Sequence, residues 1–303
     1  MKDTTLTVGA YGIVVDEYGQ VLMVRRDDSR TWAPPGGGVD ADEMPPDAAA
    51  REVEEETGLK VLPLRLIGLH YMRLWRNEYL SFGFRCLRRG GELTPSRETP
   101  AVGFYNPAQP PGRIASSHRQ RLIRGLTHDG AQPYWGTQRP ALNTTLTRGL
   151  LLPFVYRYMD WQRWRRGEPP YRKPRGWTIE TRLIARNVAD EVLWLRADDG
   201  LWRLPVGYRA RREAPWDAAT RVMAGWNVPA QLEHFAGATV AAHNHMTLAF
   251  TTTTLTRLPR VQDDQEAAFF PIAQPPSEAM PAHLTTLQHA TQPPPLYFHR
   301  QKT

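Results

Sequence analysis

The chain has 303 residues, 41% of them hydrophobic and 23% charged, with 38 Lys and Arg against 31 Asp and Glu for a formal charge of +7. These are values of a globular protein with room for two ordinary domains. The single cysteine, Cys86, excludes an internal disulfide framework, and no apolar run approaches the roughly 20 residues a membrane span needs.

The opening residues, MKDTTLTVGAYGIVV, carry an early acid and no long apolar stretch before a small-residue cleavage site, so no secretory signal is read there. The expectation is a soluble, cytoplasmic protein. Its positive charge favours anionic partners, phosphates or nucleic acid, through long-range attraction. Much of the excess lies at 157–176 and 208–212.

Residues 12–26, GIVVDEYGQVLMVRR, predict two β-rich runs around a turn at Asp16 to Gly19. The APPGGG stretch (33–38) reads as loop. Pro45, Pro46 and Asp47 then open a helix of about Asp47 to Thr57, and Gly58 stops it. On that helix Glu52, Glu55 and Glu56 share a face at i, i+3 and i+4, while Ala49, Val53 and Thr57 lie on a less polar one. Like charges at this spacing repel by a few tenths of a kcal/mol per pair, roughly. Arg51 can pair with Glu55 but cannot neutralise the group. A solvated acidic face is one account of the cluster; a hard divalent cation, held by carboxylates and substrate phosphate oxygens, is the other.

The spacing decides between them. From Gly37, five residues lead to Glu43, seven more to Arg51, followed by Glu52, Val53, Glu55, Glu56, Gly58 and Leu59. This segment resembles the Nudix box of the Nudix hydrolase family at every defined position. The resemblance implies an α/β/α sandwich around a mixed sheet and a loop, helix and loop that binds Mg²⁺ or Mn²⁺. It further implies hydrolysis of a nucleoside diphosphate linked to another moiety, X. Glu52, Glu55 and Glu56 would be metal ligands, with the Gly37 carbonyl a further candidate; Arg51 would orient Glu55, and Glu43 would support the loop and helix start. Water would attack one phosphorus in line while the other phosphate leaves. Glu52 or Glu56 could act as base, and Glu98, six residues before Phe104, is a candidate from a later loop.

The rest of the chain repeats this pattern. Shifted by 170 positions, residues 21–37 overlie 191–207, matching Arg26 with Arg196, Trp32 with Trp202 and Gly37 with Gly207, and the register continues through Glu43 with Glu213 and Arg51 with Arg221. At a shift of 165, residues 104–122 overlie 269–287, sharing AQPP and pairing His118 with His283. The expected organisation is two Nudix folds in tandem: a catalytic domain over 1–128, a basic aromatic helical linker over 129–176, and a degenerate domain over 177–303. In the second copy Glu52, Glu55 and Glu56 become Val222, Gly225 and Trp226. Its loop turns basic, and Arg209, Arg211 and Arg212 are candidate anion contacts; the competing account is a structural partner of the first domain.

Within the linker, residues 142–167 predict a helix interrupted near Pro153, with Leu151, Val155, Tyr158 and Trp161 or Met159 on an apolar stripe. Its mixture of Arg with Trp and Tyr suits either packing or single-stranded nucleic acid. His243 and His245 could suggest a metal pair, but a hairpin turn at Asn244 accounts for them better. Trp32 has a counterpart in the second copy and reads as structural; Tyr71, Trp75 and Phe82 are unassigned aromatics, and Cys86 reads as a core thiol. The expected partner is a nucleotide or nucleotide derivative, with no membrane; X and the oligomeric state are left open. The alternatives are a nucleotide-sensing or nucleic-acid-binding protein, or hydrolysis of a 5′-triphosphorylated RNA end.

Overall fold

The computed structural model describes residues 5–27, 29–74, 77–130, 132–139, 176–260, 265–291 and 297–300, with isolated positions between 157 and 167. The chain divides into two compact units, one of Leu6–Gly176 and one running from Trp177.

In the first unit β1 (Thr7–Val14), β2 (Val21–Arg25), β3 (Trp32–Ala33) and β4 (Gly36–Gly38) precede helix α1 (Pro45–Thr57). Strands β5 (Leu59–Leu74), β6 (Asn77–Gly91) and β7 (Ala101–Tyr105), helix α2 (Ser116–Thr127) and β8 (Tyr134–Gln138) follow. The main sheet has the order β4-β1-β6-β5-β8, and β3-β2-β7 forms a smaller one. The main sheet is mixed: β1 runs parallel to β6 and β5 parallel to β8, whereas β4 and the β5–β6 hairpin are antiparallel.

Successive residues of β1 show how the sheet is covered. A side chain at Gly12 would collide with Cγ2 of Val53 on α1, and one at Gly125 of α2 would press on Ile13. Adjacent strand residues point to opposite faces, so α1 covers one face and α2 the other, and β1 is buried along most of its length. The aliphatic side of α1, Ala48, Ala49, Val53 and Thr57, is buried, which leaves the acidic side turned from the sheet centre towards β4. Gly58, at φ +74, ends the helix in the left-handed conformation and returns its N–H to the Glu54 carbonyl.

Two expectations are corrected here. The glycines of APPGGG are not loop: Gly36, Gly37 and Gly38 pair antiparallel with Tyr11, Ala10 and Gly9. Lacking side chains, they let β4 lie so close to β1 that a Cβ on Gly36 would collide with the Tyr11 backbone. The first sheet also extends beyond residue 128, because Tyr134–Gln138 adds β8 to the edge of β5. An aromatic, Gly-containing run of five residues carries too little alternation to announce a parallel edge strand. Most of the predicted helix over 142–167 lies outside the described residues, as does Trp75; Tyr158 and Trp161 stack at 5.9 Å and are exposed.

The second unit repeats the first element by element. Strands β9 (Thr178–Ile184), β10 (Glu191–Arg196), β11 (Trp202–Arg203) and β12 (Val206–Tyr208) precede helix α3 (Pro215–Ala224). Then come β13 (Leu232–Ala241), β14 (His245–Thr252), β15 (Ala267–Pro271), helix α4 (Pro281–Ala290) and β16 (Tyr297–Arg300). Its sheets are ordered β12-β9-β14-β13-β16 and β11-β10-β15. Trp32 packs edge-on to Tyr105 at 4.9 Å, and Trp202 packs edge-on to Phe270 at 5.1 Å, so the shared tryptophan is a core residue in both units. His243 and Asn244, at φ +63 and +56, are the last two residues of the three-residue turn, 242–244, that joins β13 to β14. Cys86 is a buried free thiol in β6. Among the described residues no helix is long and apolar enough to cross a membrane.

Candidate active site

The site forms where β4 passes in front of α1. Arg51 organises it. Its Nε and Nη2 donate to the two Glu43 carboxylate oxygens, each at 2.9 Å, and Nη2 also donates to the Gly38 carbonyl at 2.8 Å. Its Nη1 reaches Glu52 at 2.9 Å and Glu55 at 3.2 Å. Glu43 in turn accepts the Asp40 N–H at 2.9 Å, closing the loop between strand and helix. A bidentate carboxylate partner suits the planar guanidinium, and these bonds hold Arg51 fully charged.

The second unit supplies an internal control. Arg221 donates to both oxygens of Glu213 at 2.9 and 3.1 Å and to the Tyr208 carbonyl at 2.8 Å, and the Ala210 N–H donates to Glu213. The loop keeps its left-handed residue too, Asp42 at φ +59 against Arg212 at +68. The Arg–Glu brace is therefore a folding device of the loop and helix. What the second unit lacks is the carboxylates: Val222 takes the place of Glu52, and α3 ends at Ala224, so Gly225 and the buried Trp226 follow the helix. Of the candidate anion contacts, Arg209 is buried and donates to the Ala210 carbonyl, while Arg211 and Arg212 are exposed.

The three glutamates of the first unit differ in setting. Glu56 is only 8% exposed, accepts the Gly36 N–H at 2.9 Å, and has its pKa pushed up to about 7 by burial, with Glu52 and Glu98 adding to the rise. Glu52 lies over Gly37, where any Cβ would strike its carboxylate, and burial raises its pKa as well. Glu55 is outward, with 60% of its side chain exposed, and is held through Arg51. Among the described residues no group of three or more His, Cys, Asp or Glu side chains is gathered closely enough to hold a metal ion, so Glu52, Glu55 and Glu56 do not converge as a three-carboxylate set. The donors instead offer two largely buried carboxylates, Glu52 and Glu56, only the first of them paired with Arg51, beside the glycine strand.

Glu98 sits on the exposed loop between β6 and β7, which is tied down on both sides. Thr99 Oγ1 donates to the Glu56 carbonyl at 2.7 Å, Thr94 N–H to the Thr57 carbonyl at 2.9 Å, and Asp27 N–H to the Glu98 carbonyl at 3.0 Å. Its charge is felt at both Glu52 and Glu56. Beside Gly36 and Gly37 opens a cavity of about 60 Å³ whose wall includes Tyr11, Arg26, Ser81, His118 and Arg121. Sequence reasoning assigned none of these to the site. Arg26 carried a signal, its match to Arg196 in the repeat, but Arg121 carried none, because its burial depends on how α2 packs.

Residues 5–124 match the family profile described as the NUDIX domain. A "MutT-like protein" of Streptomyces ambofaciens is 39% identical over 128 residues, covering 42% of this chain and 80% of that protein. A Bacillus subtilis (strain 168) protein named "Putative 8-oxo-dGTP diphosphatase" is 34% identical over 116 residues, 38% of this chain and 77% of its own length. The solved mMutator MutT protein of Bacillus halodurans is 25% identical, with a TM-score of 0.41 over 46% of this chain and 92% of that one. With the box intact, Glu52 and Glu56 against the glycine strand and relatives matched over most of their length, the chain belongs to the Nudix hydrolase family.

Proposed function

We propose that the first unit hydrolyses the diphosphate linkage of a small nucleotide, a nucleoside triphosphate in the first instance, with Mg²⁺ or Mn²⁺ as cofactor. The observation that carries this reading is the position of Glu52 and Glu56 against the glycine strand at the edge of the cavity. Two relatives support the substrate class, since one is MutT-like and the other is named for a nucleoside triphosphate.

Glu52 and Glu56, with Glu55 and the Gly37 carbonyl, would hold the metal. When bound, such an ion neutralises the diphosphate and acidifies a water molecule. The burial that raises the Glu56 pKa is the reason a cation fits, because buried carboxylates that repel one another are relieved by a hard positive charge. Arg51 fixes Glu52 and Glu55 on one side of the strand, and the Arg51–Glu43 brace fixes the strand itself. Glu98, exposed and charge-coupled to both acids, accepts the proton of the attacking water. Glycine at 36 and 37 lets phosphate oxygens approach the main chain.

The second unit keeps the fold and the brace without the carboxylates, so we assign it no turnover. Much of the 140–175 stretch, on which a nucleic-acid reading leans, lies outside the described residues. The test is release of phosphate or diphosphate from nucleoside triphosphates, ADP-ribose, dinucleoside polyphosphates and triphosphorylated RNA, with Glu56→Gln as control. Turnover of one class that falls more than about 100-fold in the control supports the reading; equal turnover in both proteins sinks it.

A further inference from the structure

Arg121 is a buried cation without a carboxylate. It is 8% exposed, and its pKa is lowered by burial, opposed by the Tyr11 phenol and by no carboxylate among the described residues. Its Nε donates to Gln138 Oε1 at 3.3 Å, its Nη2 to Ser81 Oγ at 3.2 Å, and the guanidinium lies 5.1 Å from the centre of the Tyr11 ring. Arginine carries five N–H donors, so these two long bonds to neutral groups leave most of its capacity unused. Burying such a charge costs free energy unless a partner compensates it.

The second unit shows the same place with the partner built in. By strand register Arg182 stands where Tyr11 does, opposite Val206 as Tyr11 is opposite Gly36. Glu180 likewise stands where Gly9 does, beside Thr247 as Gly9 is beside Ser81. On the covering helix Thr286 takes the position of Arg121, three residues after His283 as Arg121 follows His118. There the polar groups satisfy one another. Glu180 accepts from Arg182 Nε at 2.7 Å and from Thr247 at 3.0 Å, and Arg182 also donates to Thr286 at 2.7 Å and to the Ala282 carbonyl at 2.6 Å. His283 accepts the Leu204 N–H at 3.0 Å, whereas the first unit has Pro34, without an N–H, at the position of Leu204, and Pro34 and His118 both line the cavity.

The first unit thus supplies a cation from the helix instead of the strand and omits the anion. Glycine replaces the glutamate, and the cavity beside Gly9, Ala10 and Gly37 reaches Arg121 and Ser81. We propose that Arg121 is a specificity-determining residue whose guanidinium takes an oxygen acceptor of the substrate, in the place that the Glu180 carboxylate occupies in the second unit. The acceptor is either a phosphate oxygen or a ring carbonyl of the base, since both meet an arginine fork. The proposal rests on the diphosphate-cleavage reading and adds to it the residue that selects X.

The experiment is steady-state kinetics of the full chain with GTP and ITP, which carry a 6-carbonyl, and ATP, which does not, in wild type, Arg121→Met, Arg121→Lys and Ser81→Asp. Ser81→Asp places a carboxylate beside Arg121 and so supplies the missing partner. Expected is a rise in KM of about tenfold or more in Arg121→Met with kcat little changed, a smaller rise in Arg121→Lys, and a rise in Ser81→Asp with the thermal midpoint held or increased. A rise confined to GTP and ITP identifies a base carbonyl; an equal rise for all three identifies phosphate. Unchanged KM in folded Arg121→Met, or in Ser81→Asp should Arg121→Met not fold, overturns the proposal. Wild-type turnover lost in Glu56→Gln keeps the reaction reading intact whatever Arg121 does. If wild type turns over no nucleotide, that reading fails, and equilibrium binding of the same nucleotides to wild type and Ser81→Asp still decides the role of Arg121.

Discussion

Replacing Arg51 and, separately, Arg221 by methionine divides the work of the brace into a folding part and a site part. Both arginines bridge a glutamate in two-point fashion and a main-chain carbonyl, but only Arg51 also holds Glu52 and Glu55. Arg51 has 28% of its side chain exposed and Arg221 has 55%, while Glu43 and Glu213 each have 16%. A hydrogen bond to a charged group contributes about 1.5–3 kcal/mol, and solvent screening reduces that for exposed pairs towards 1 kcal/mol or less. Arg51→Met should therefore destabilise the first unit by about 3 kcal/mol, and Arg221→Met the second by about 1 kcal/mol. Amide hydrogen exchange in α1 and α3 reads each unit in the intact chain. Turnover separates the roles further. Losing the group that orients two carboxylates should lower kcat by about 10–100-fold in Arg51→Met, and Arg221→Met should stay within about twofold of wild type. If the two variants lose equal activity, or Arg51→Met keeps full kcat at saturating Mg²⁺, the assignment of Glu52 and Glu55 to the site is wrong.

Glu98→Gln should leave stability within about 0.5 kcal/mol, because the side chain is exposed, yet lower kcat by about 10²-fold or more if Glu98 accepts the water proton; unchanged kcat returns the base to the helix. Gly58→Ala should cost about 1–2 kcal/mol from its left-handed backbone alone, and the added Cβ meets the Glu92 carbonyl at the start of the Glu98 loop. A thermal midpoint within error of wild type would refute that account. Burial lowers the pKa of His70 in the first unit and of His283 in the second to about 3, from 6.5. The unfolded chain then binds more protons, so stability is full above pH 6.5 and falls by about 1.4 kcal/mol per pH unit per histidine as the pH drops towards 5. Urea titrations between pH 7 and 5 should show a shallower slope in His283→Asn, and an identical slope would remove His283 from the linkage.

The sequence alone determined the chemistry because the box is local. Spacing along one helix turns Glu52, Glu55 and Glu56 to a common side, Gly58 must end that helix, and Arg51 is within reach of Glu55 by helical geometry. The repeat was legible for a similar reason: matches at nearly constant offset need no fold to be counted, and the loss of the carboxylates at 222, 225 and 226 follows from the alignment. Tertiary structure decided what depends on contacts between distant segments. The glycine run became a strand because β1 lies beside it, Tyr134–Gln138 joined the first sheet because β5 offered a free edge, and Glu98 came to the acids because Thr94 and Thr99 tie its loop to the end of α1. Arg121 is the clearest case. In the sequence it is one arginine among several on a polar helix, and only the packing of α2 over β1 and β6 buries its charge beside Gly9, where the other unit keeps a glutamate.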